Sequence, residues 1–351
     1  MILTRTPFRV TLGGGGTDLP SYYSQHGGLI FAMGLDKYMY IVVNRPIVGT
    51  KIRLHYSQAE TVDNVADLQH ELAREALRLH GIEDTFEIAS IADLPSGSGL
   101  GSSSCYLVGL LNAIHHQKRD YVSLYRLAEE ACHIELDILQ EGIGKQDQYM
   151  AAFGGLTVLE IDRQGKVGVR QISLSSSEVA ELVAHTHLYY TGTERAAKEV
   201  LRDQDTAMKS PAGASHQRVA DSLHQIKELG YRILEAVEAG NFDWWGRLLH
   251  KHWLLKKQLS DKVSLSRVDQ LYEEVRERFG VLGGKIVGAG GGGFLMLYSD
   301  KNHRELERFM ASCDMPRMHY TVEPEGTKVM TQIGQGLRSR ADSLPPMLSA
   351  E

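Results

Sequence analysis

Residues 91–114, IADLPSGSGLGSSSCYLVGLLNAI, pass from a strand-like segment through a proline break and a glycine–serine loop into an apolar helix. Gly97, Gly99 and Gly101 can take up turns closed to other residues and leave backbone N–H groups bare. Ser102, Ser103 and Ser104 fall where the helix should begin, and serine is a favoured N-cap. Free amides, a helix dipole and hydroxyls together make a site for an anionic phosphate. The plainer alternative is a flexible turn with an ordinary serine cap. No GxxxxGK[ST] string occurs in the chain, so this is a phosphate loop of another kind.

The loop is one of three glycine clusters among 35 glycines; the others are LGGGGTD at 12–18 and GAGGGG at 288–293. Runs of glycine sacrifice backbone entropy and mark close approach of the chain to something else. GAGGGG formally matches a dinucleotide fingerprint, but that fingerprint needs a helix to follow, and FLMLYSD at 294–300 reads as a strand. The NAD reading is therefore rejected.

Around these loops the chain reads as α+β. RVTL, YMYIVV, KIRLHY and TFEIASI are strand-like, as are LTVLEI and VGVRQI, which form a hairpin around Asp162–Gly165. NVADLQHELAREALRLHG (64–81) reads as one helix closed by Gly81, and YVSLYRLAEEACHIELDILQ (121–140) as another. After the strand HTHLYYTG, helices dominate until the strands at GGKIVGAGGGGFLMLYS and MHYTVE. The expected division is 1–175, 176–331 and a loose tail over 332–351.

Two acidic residues add chemistry to the loop. Glu135 has Ala131, Cys132, Ile138 and Leu139 at helical neighbour positions, an apolar setting that is costly unless the carboxylate is paired or meets a cation. Asp147, in EGIGKQDQ, follows two glycines and can point back at the loop as a base or metal-orienting group; alone it could equally cap a helix beginning at Gln148. Hard oxygen donors beside a phosphate loop suit Mg²⁺-dependent phosphoryl transfer.

Lys and Arg number 38 against 44 Asp and Glu, a net charge of −6, which lacks the basic footprint of a general nucleic-acid binder. Cys105, Cys132 and Cys313 build neither a disulfide framework nor a CxxC site, which suits a reducing compartment. No signal peptide or membrane-length apolar run is evident, so a cytoplasmic protein is expected.

The three clusters, in order, resemble motifs one, two and three of the GHMP kinases, with PSGSGLGSSS the most specific element. Within that superfamily GGGGTDLPSYY, HLYYTGTER and HKHWLLKKQLS resemble the D-glycero-D-manno-heptose 7-phosphate kinases. The resemblance implies a ribosomal-S5-like N-terminal ATP-binding domain and an α/β C-terminal domain, with ATP and Mg²⁺ as cofactors. The acceptor implied is a phosphorylated sugar, and the reaction is phosphorylation of its anomeric hydroxyl. It implies that Asp147 is the catalytic acid–base residue and that Arg9 stabilises the transferring group. The ATP phosphates would lie in Gly97, Ser98, Gly99, Leu100, Gly101, Ser102, Ser103 and Ser104, with Ser103 and Glu135 as Mg²⁺ ligands. Gly14, Gly15, Gly16, Thr17 and Asp18 would hold the sugar, and Gly291 and Gly292 would close over it. Galactokinases carry acidic and His residues where Gly15 and Gly16 stand, which argues against galactose itself.

The sugar's own phosphate needs a further cation; Arg195, Lys256 and Lys257 are the candidates, with solvated helix charges the alternative for the lysines. The paired histidines at 115–116, 185 and 187, and 250 and 252 lack carboxylate or cysteine partners at metal-ligand spacing. Trp244, Trp245 and Trp253 suit a core or a subunit contact in a homo-oligomer; Tyr56 and Ser57 are guesses for the adenine pocket. Two rivals stand beside this reading: a kinase of another sugar or of a mevalonate-type alcohol, and a non-catalytic sensor of sugar and ATP.

Overall fold

The computed structural model describes residues 1–193, 197–210 and 213–333. The chain opens with β1 (Ile2–Gly14), α1 (Pro20–His26), β2 (Gly28–Asn44), β3 (Ile52–His55), β4 (Ala59–Val62), α2 (Glu71–Leu79) and β5 (Phe86–Ala92). It continues with α3 (Ser102–Lys118), α4 (Leu124–Cys132), α5 (Gln146–Phe153), β6 (Leu156–Ile161), β7 (Val167–Ile172), α6 (Ser176–His185) and β8 (Thr186–Tyr190). Then come α7 (Ala197–Lys209), α8 (Ala214–Glu238), α9 (Phe242–Lys256), α10 (Ser266–Phe279), β9 (Val281–Ile286), β10 (Phe294–Ser299), α11 (His303–Ser312), β11 (Arg317–Met318) and β12 (Lys328–Gln332).

Among the described residues the strands form two sheets. The first runs β12-β1-β2-β5-β3-β4, with β6 also paired to β2 and β7 to β6; the second runs β11-β8-β10-β9. Strand β2 serves two neighbours: Gly28–Met33 pair with β6, and Met39–Asn44 with β5. Its first eight residues are buried without interruption, as in a strand covered on both faces, and exposure alternates toward its end. Helices α3 and α8 both pack on β1 and β2, and α9 packs on α8 and β9, so the two sheets share one apolar core.

Several expectations need correction. The segment 64–81 gives a 3₁₀ turn at Val65–Asp67 and a helix only from Glu71, because His70 breaks it by capping Ala73 N. Helix α4 does not run on as an α-helix: His133–Ile138 form a π-helical turn. MHYTVE yields only Met318, the second residue of β11, and a single bridge from Val322 to Leu35. Strand β12 pairs with β1 in the first sheet, cutting across an expected unit of 176–331 and a loose tail from 332. Edge hydrogen bonds of β1 recruit it, and residues 334–351 lie outside the described residues. His115 does have carboxylate partners: Nε2 lies 2.6 Å from Glu130 Oε2 and Nδ1 3.1 Å from Asp120 Oδ2, with His80 Nε2 3.7 Å from Glu130. Tertiary folding supplies these partners, which local spacing did not reveal.

His187 on β8 is fully buried, with Nδ1 2.8 Å from the Tyr189 hydroxyl and Nε2 3.1 Å from His303 Nδ1. Burial, then Arg317 and His303, hold its pKa down to about 3. The folded pKa thus lies below the ordinary value, so His187 contributes full stability above about pH 6.5 and loses it as pH falls toward 3. By pH 5 the loss is about 2 kcal/mol. His187→Gln is expected to show a smaller drop in Tm between pH 7.5 and 5 than the wild type. An equal drop would exonerate His187.

Candidate active site

Helix α3 begins at Gly101, in a left-handed conformation (φ 86°) that serine would resist; Gly101, not a serine, is the N-cap. Ser102–Ser104 therefore occupy the first turn, where N–H groups have no intrahelical partner. Arg9 on β1 ties this loop down: its N–H donates to Leu100 O and its Nη1 to Gly99 O at 2.8 Å.

The same guanidinium donates from Nε (2.8 Å) and Nη2 (2.6 Å) to Asp147 Oδ1, and Gln146 Nε2 adds a third donor at 3.0 Å. The hydrogen-bonding load thus falls on one oxygen, leaving Oδ2 without a partner among the described residues. Asp147 lies in the first turn of α5, which starts at Gln146, so it is not the helix cap. Asp18 is buried, and its Oδ2 accepts from Gln146 N at 3.1 Å. A Cβ on Gly144 would lie 2.0 Å from that oxygen, so glycine is what permits the approach. Burial and the neighbouring Asp147 push the Asp18 carboxyl up to about 6.

Glu135 sits on the π-helical turn, a rare form found often at functional sites. Its Oε2 accepts from Ser104 Oγ at 2.7 Å and Gln148 Nε2 at 2.6 Å. Burial raises its pKa to about 7 against the lowering effect of these bonds and of Ser103.

Arg9, Gly14, Gly15, Gly16, Asp18, Gly97, Gly99, Gly101, Ser102, Ser103, Glu135 and Asp147 line one cavity of about 410 Å³. Six other expected residues do not line it. Thr17 bridges the backbone of Leu29, donating to its O (2.8 Å) and accepting from its N. Leu100 and Ser98 are buried beneath the loop, and Ser104 supports Glu135 from within. Gly291 and Gly292 turn away, against Val263 and Thr193; Gly288 and Ala289 face the cavity instead. Arg195 lies outside the described residues. Tyr56 stacks edge-on to His70, away from the cavity lining.

Of the two lysine candidates, Lys256 faces the cavity, buried, donating to Ile286 O (3.0 Å) and Gly288 O. Lys257 instead pairs with Asp269 at 3.0 Å, beyond the site. Residues missed entirely include Thr11, Gln204, His252 and Lys285. His252 and Lys256 are four residues apart on α9, hence on one face, a spacing readable in HKHWLLK. A lysine within the glycine-rich strand LGGKIVG was the available signal for Lys285.

A helix N-terminus at a cavity, with an Arg–Asp pair beside it, has the chemistry that phosphoryl transfer requires. The chain matches the GHMP kinases N terminal domain over residues 63–155 and the GHMP kinases C terminal domain over 233–313. It belongs to the GHMP kinases, and within them it is a sugar kinase. It is 28% identical over 310 residues to the D-glycero-alpha-D-manno-heptose 7-phosphate kinase of Campylobacter jejuni, spanning 85% of this chain and 89% of the relative. It is 24% identical to a galactokinase of Pyrococcus furiosus, spanning 92% and 97%. A D-glycero-D-manno-heptose 1-phosphate kinase structure from Bacteroides thetaiotaomicron superposes with a TM-score of 0.78 at 23% identity, over 95% of this chain and all of that one. No helix among the described residues is long and apolar enough to cross a membrane.

Proposed function

We propose that the protein transfers the γ-phosphoryl group of ATP to the anomeric hydroxyl of D-glycero-D-manno-heptose 7-phosphate, giving the 1,7-bisphosphate. This product would enter the cytoplasmic route to a nucleotide-linked heptose for surface polysaccharide. The observation carrying the reading is Asp147, whose Oδ1 is held by Arg9 and Gln146 while Oδ2 stays open toward the cavity.

A sugar hydroxyl between Asp18 and Asp147 would give its proton to Asp147 Oδ2 as its oxygen bonds to the γ-phosphorus and the bond to ADP breaks. Phosphoryl transfer depends on positioning and charge neutralisation more than on covalent chemistry. Arg9 supplies charge next to the reacting oxygens, and the amides of the first turn of α3 receive the phosphates. Asp18 and the backbone of Gly14–Gly16 hold sugar hydroxyls.

Mg²⁺ fits the residues present. Glu135 and Ser103 offer hard oxygen donors on the cavity wall, and Gln148 Oε1 is a buried oxygen without a hydrogen-bond partner beside Glu135. When bound, the ion would neutralise phosphate charge.

The test is ADP release with Mg-ATP against heptose 7-phosphate, heptose 1-phosphate, free mannoheptose, mannose, fucose, galactose and mevalonate, with and without EDTA. Preference for heptose 7-phosphate, abolished by EDTA and restored by Mg²⁺, is expected. Turnover of unphosphorylated sugars alone would keep the kinase and overturn the substrate. ATP binding without any turnover would favour a sensor.

A further inference from the structure

We propose that Lys285, with Lys256, forms a buried subsite for a phosphate dianion carried by the acceptor sugar, separate from the loop that receives the ATP phosphates. The inference rests on the reading of the acceptor given above, and it assigns residues to that phosphate.

Lys285 is 2% exposed and lines the cavity from β9, yet it has no hydrogen-bond or ion-pair partner among the described residues. Lys256, at the end of α9, is also buried and among the described residues bonds only to two backbone carbonyls, Ile286 O and Gly288 O. Isolated buried ammonium groups carry a desolvation penalty of several kcal/mol unless a counter-charge repays it. The acids of the cavity do not repay it. Asp147 holds Arg9 through Oδ1, Asp18 takes up Gln146 N, Glu135 takes up Ser104 and Gln148, and the fourth acid of the lining, Glu141, is itself engaged. Two buried cations that line one cavity, with no anion paired to them among the described residues, describe a receptor for a doubly charged group.

The neighbours place this receptor on the sugar side. His252, one helical turn before Lys256, bonds through Nε2 to Gly14 O at 2.6 Å, on the wall built by the first glycine cluster. Its pKa is held down first by burial, then by Lys285 and Lys256, so all three lie close together. The ammonium of Lys285 is likewise driven well below its usual range, and that of Lys256 to about 7; in each case burial is the main cause and neighbouring cations add to it. A phosphate between them would reverse that pressure. The phosphate loop already has Arg9 as its cation, and its Gly99 abuts Gly288, whose carbonyl Lys256 holds.

The test uses Lys285→Met and Lys285→Arg in the full-length enzyme, with the wild type assayed on heptose 7-phosphate and on free heptose. A charge-assisted contact removed from a buried site should raise KM for the phosphorylated acceptor by about 10- to 100-fold. Lys285→Met should lose at least about tenfold more kcat/KM on the phosphorylated than on the free sugar, with KM for ATP moving far less. Lys285→Arg should recover part of the loss. Without substrate, Lys285→Met should melt at or above the wild-type temperature, because an unpaired buried charge is gone. Equal losses on both acceptors would overturn the proposal and move the lysines to the ATP phosphates.

Should the wild type ignore phosphorylated sugars, inorganic phosphate separates the two failures. A thermal shift by phosphate that Lys285→Met abolishes would keep the dianion site while the substrate falls. A shift of equal size in both proteins would overturn the site, leaving an adventitious ion only.

Discussion

Asp147→Asn is expected to lower kcat by about 10³-fold while ATP affinity stays within a few-fold, because a positioned base contributes roughly 10²–10⁴. Asparagine has the same shape, and its carbonyl oxygen can still accept from Arg9, so the buried guanidinium keeps Gly99 O and one side-chain acceptor. What changes is the free position: Oδ2, open to the cavity, becomes an amide nitrogen that donates to a hydroxyl instead of taking its proton. ADP release under saturating substrate reads kcat, and thermal shift with ATP reads binding. Activity within tenfold of wild type would remove Asp147 from the proton-accepting role.

The second large effect is expected of Gly288→Ala. Gly288 has φ of +70°, and a Cβ there would lie 2.4 Å from Gly99 O and 3.0 Å from Gly99 Cα. Neither atom is the end of a flexible side chain, so the two glycine loops must part. Gly99 O also accepts from Arg9 Nη1, and Gly288 O from Lys256, so parting the loops disturbs both cations. Catalytic efficiency with ATP should fall by more than about 10²-fold, since misplacement by about 1 Å at a reacting centre costs that much. Gly81→Ala is the control: φ is also positive, at +62°, but no atom lies within 4 Å of the added methyl. It should cost about 1 kcal/mol of stability and leave kcat/KM intact. If both variants behave alike, strain rather than loop contact governs Gly288.

Much of the site was legible because its chemistry is local. Gly97–Ser104 are a run of consecutive backbone amides leading into the helix they open, the local pattern that suits a phosphate, so sequence alone sufficed to mark the segment. The strand after GAGGGG was equally legible from its short apolar and aromatic run, and β10 pairs antiparallel with β9 as a hairpin requires. The errors lie where a partner distant in sequence decides. The expected serine cap yields to Gly101 because the αL turn needs no side chain there. Glu135 reads as part of one long helix, and nothing in 121–140 signals the π-helical turn that carries it. Gly291 and Gly292 look like a closing flap in sequence, yet Gly291 N bonds to Val263 O and Gly293 N to Thr193 O, which pins the end of that loop.

The sequence by itself determined that this chain is α+β, and it marked the glycine–serine loop, Glu135 and Asp147 as one group, which the structure gathers around one cavity. Each of these follows from residues within a few positions of one another. Only the tertiary structure decided that Oδ1 of Asp147 is occupied by an arginine 138 residues away, that Gly288 abuts Gly99, and that β12 joins the first sheet. The tertiary structure also separated Lys256 from Lys257 and exposed Lys285 as a cation without a partner among the described residues. Charge in a sequence carries no burial; whether a lysine is a solvated ornament of a helix or half of an anion site depends on which walls close around it.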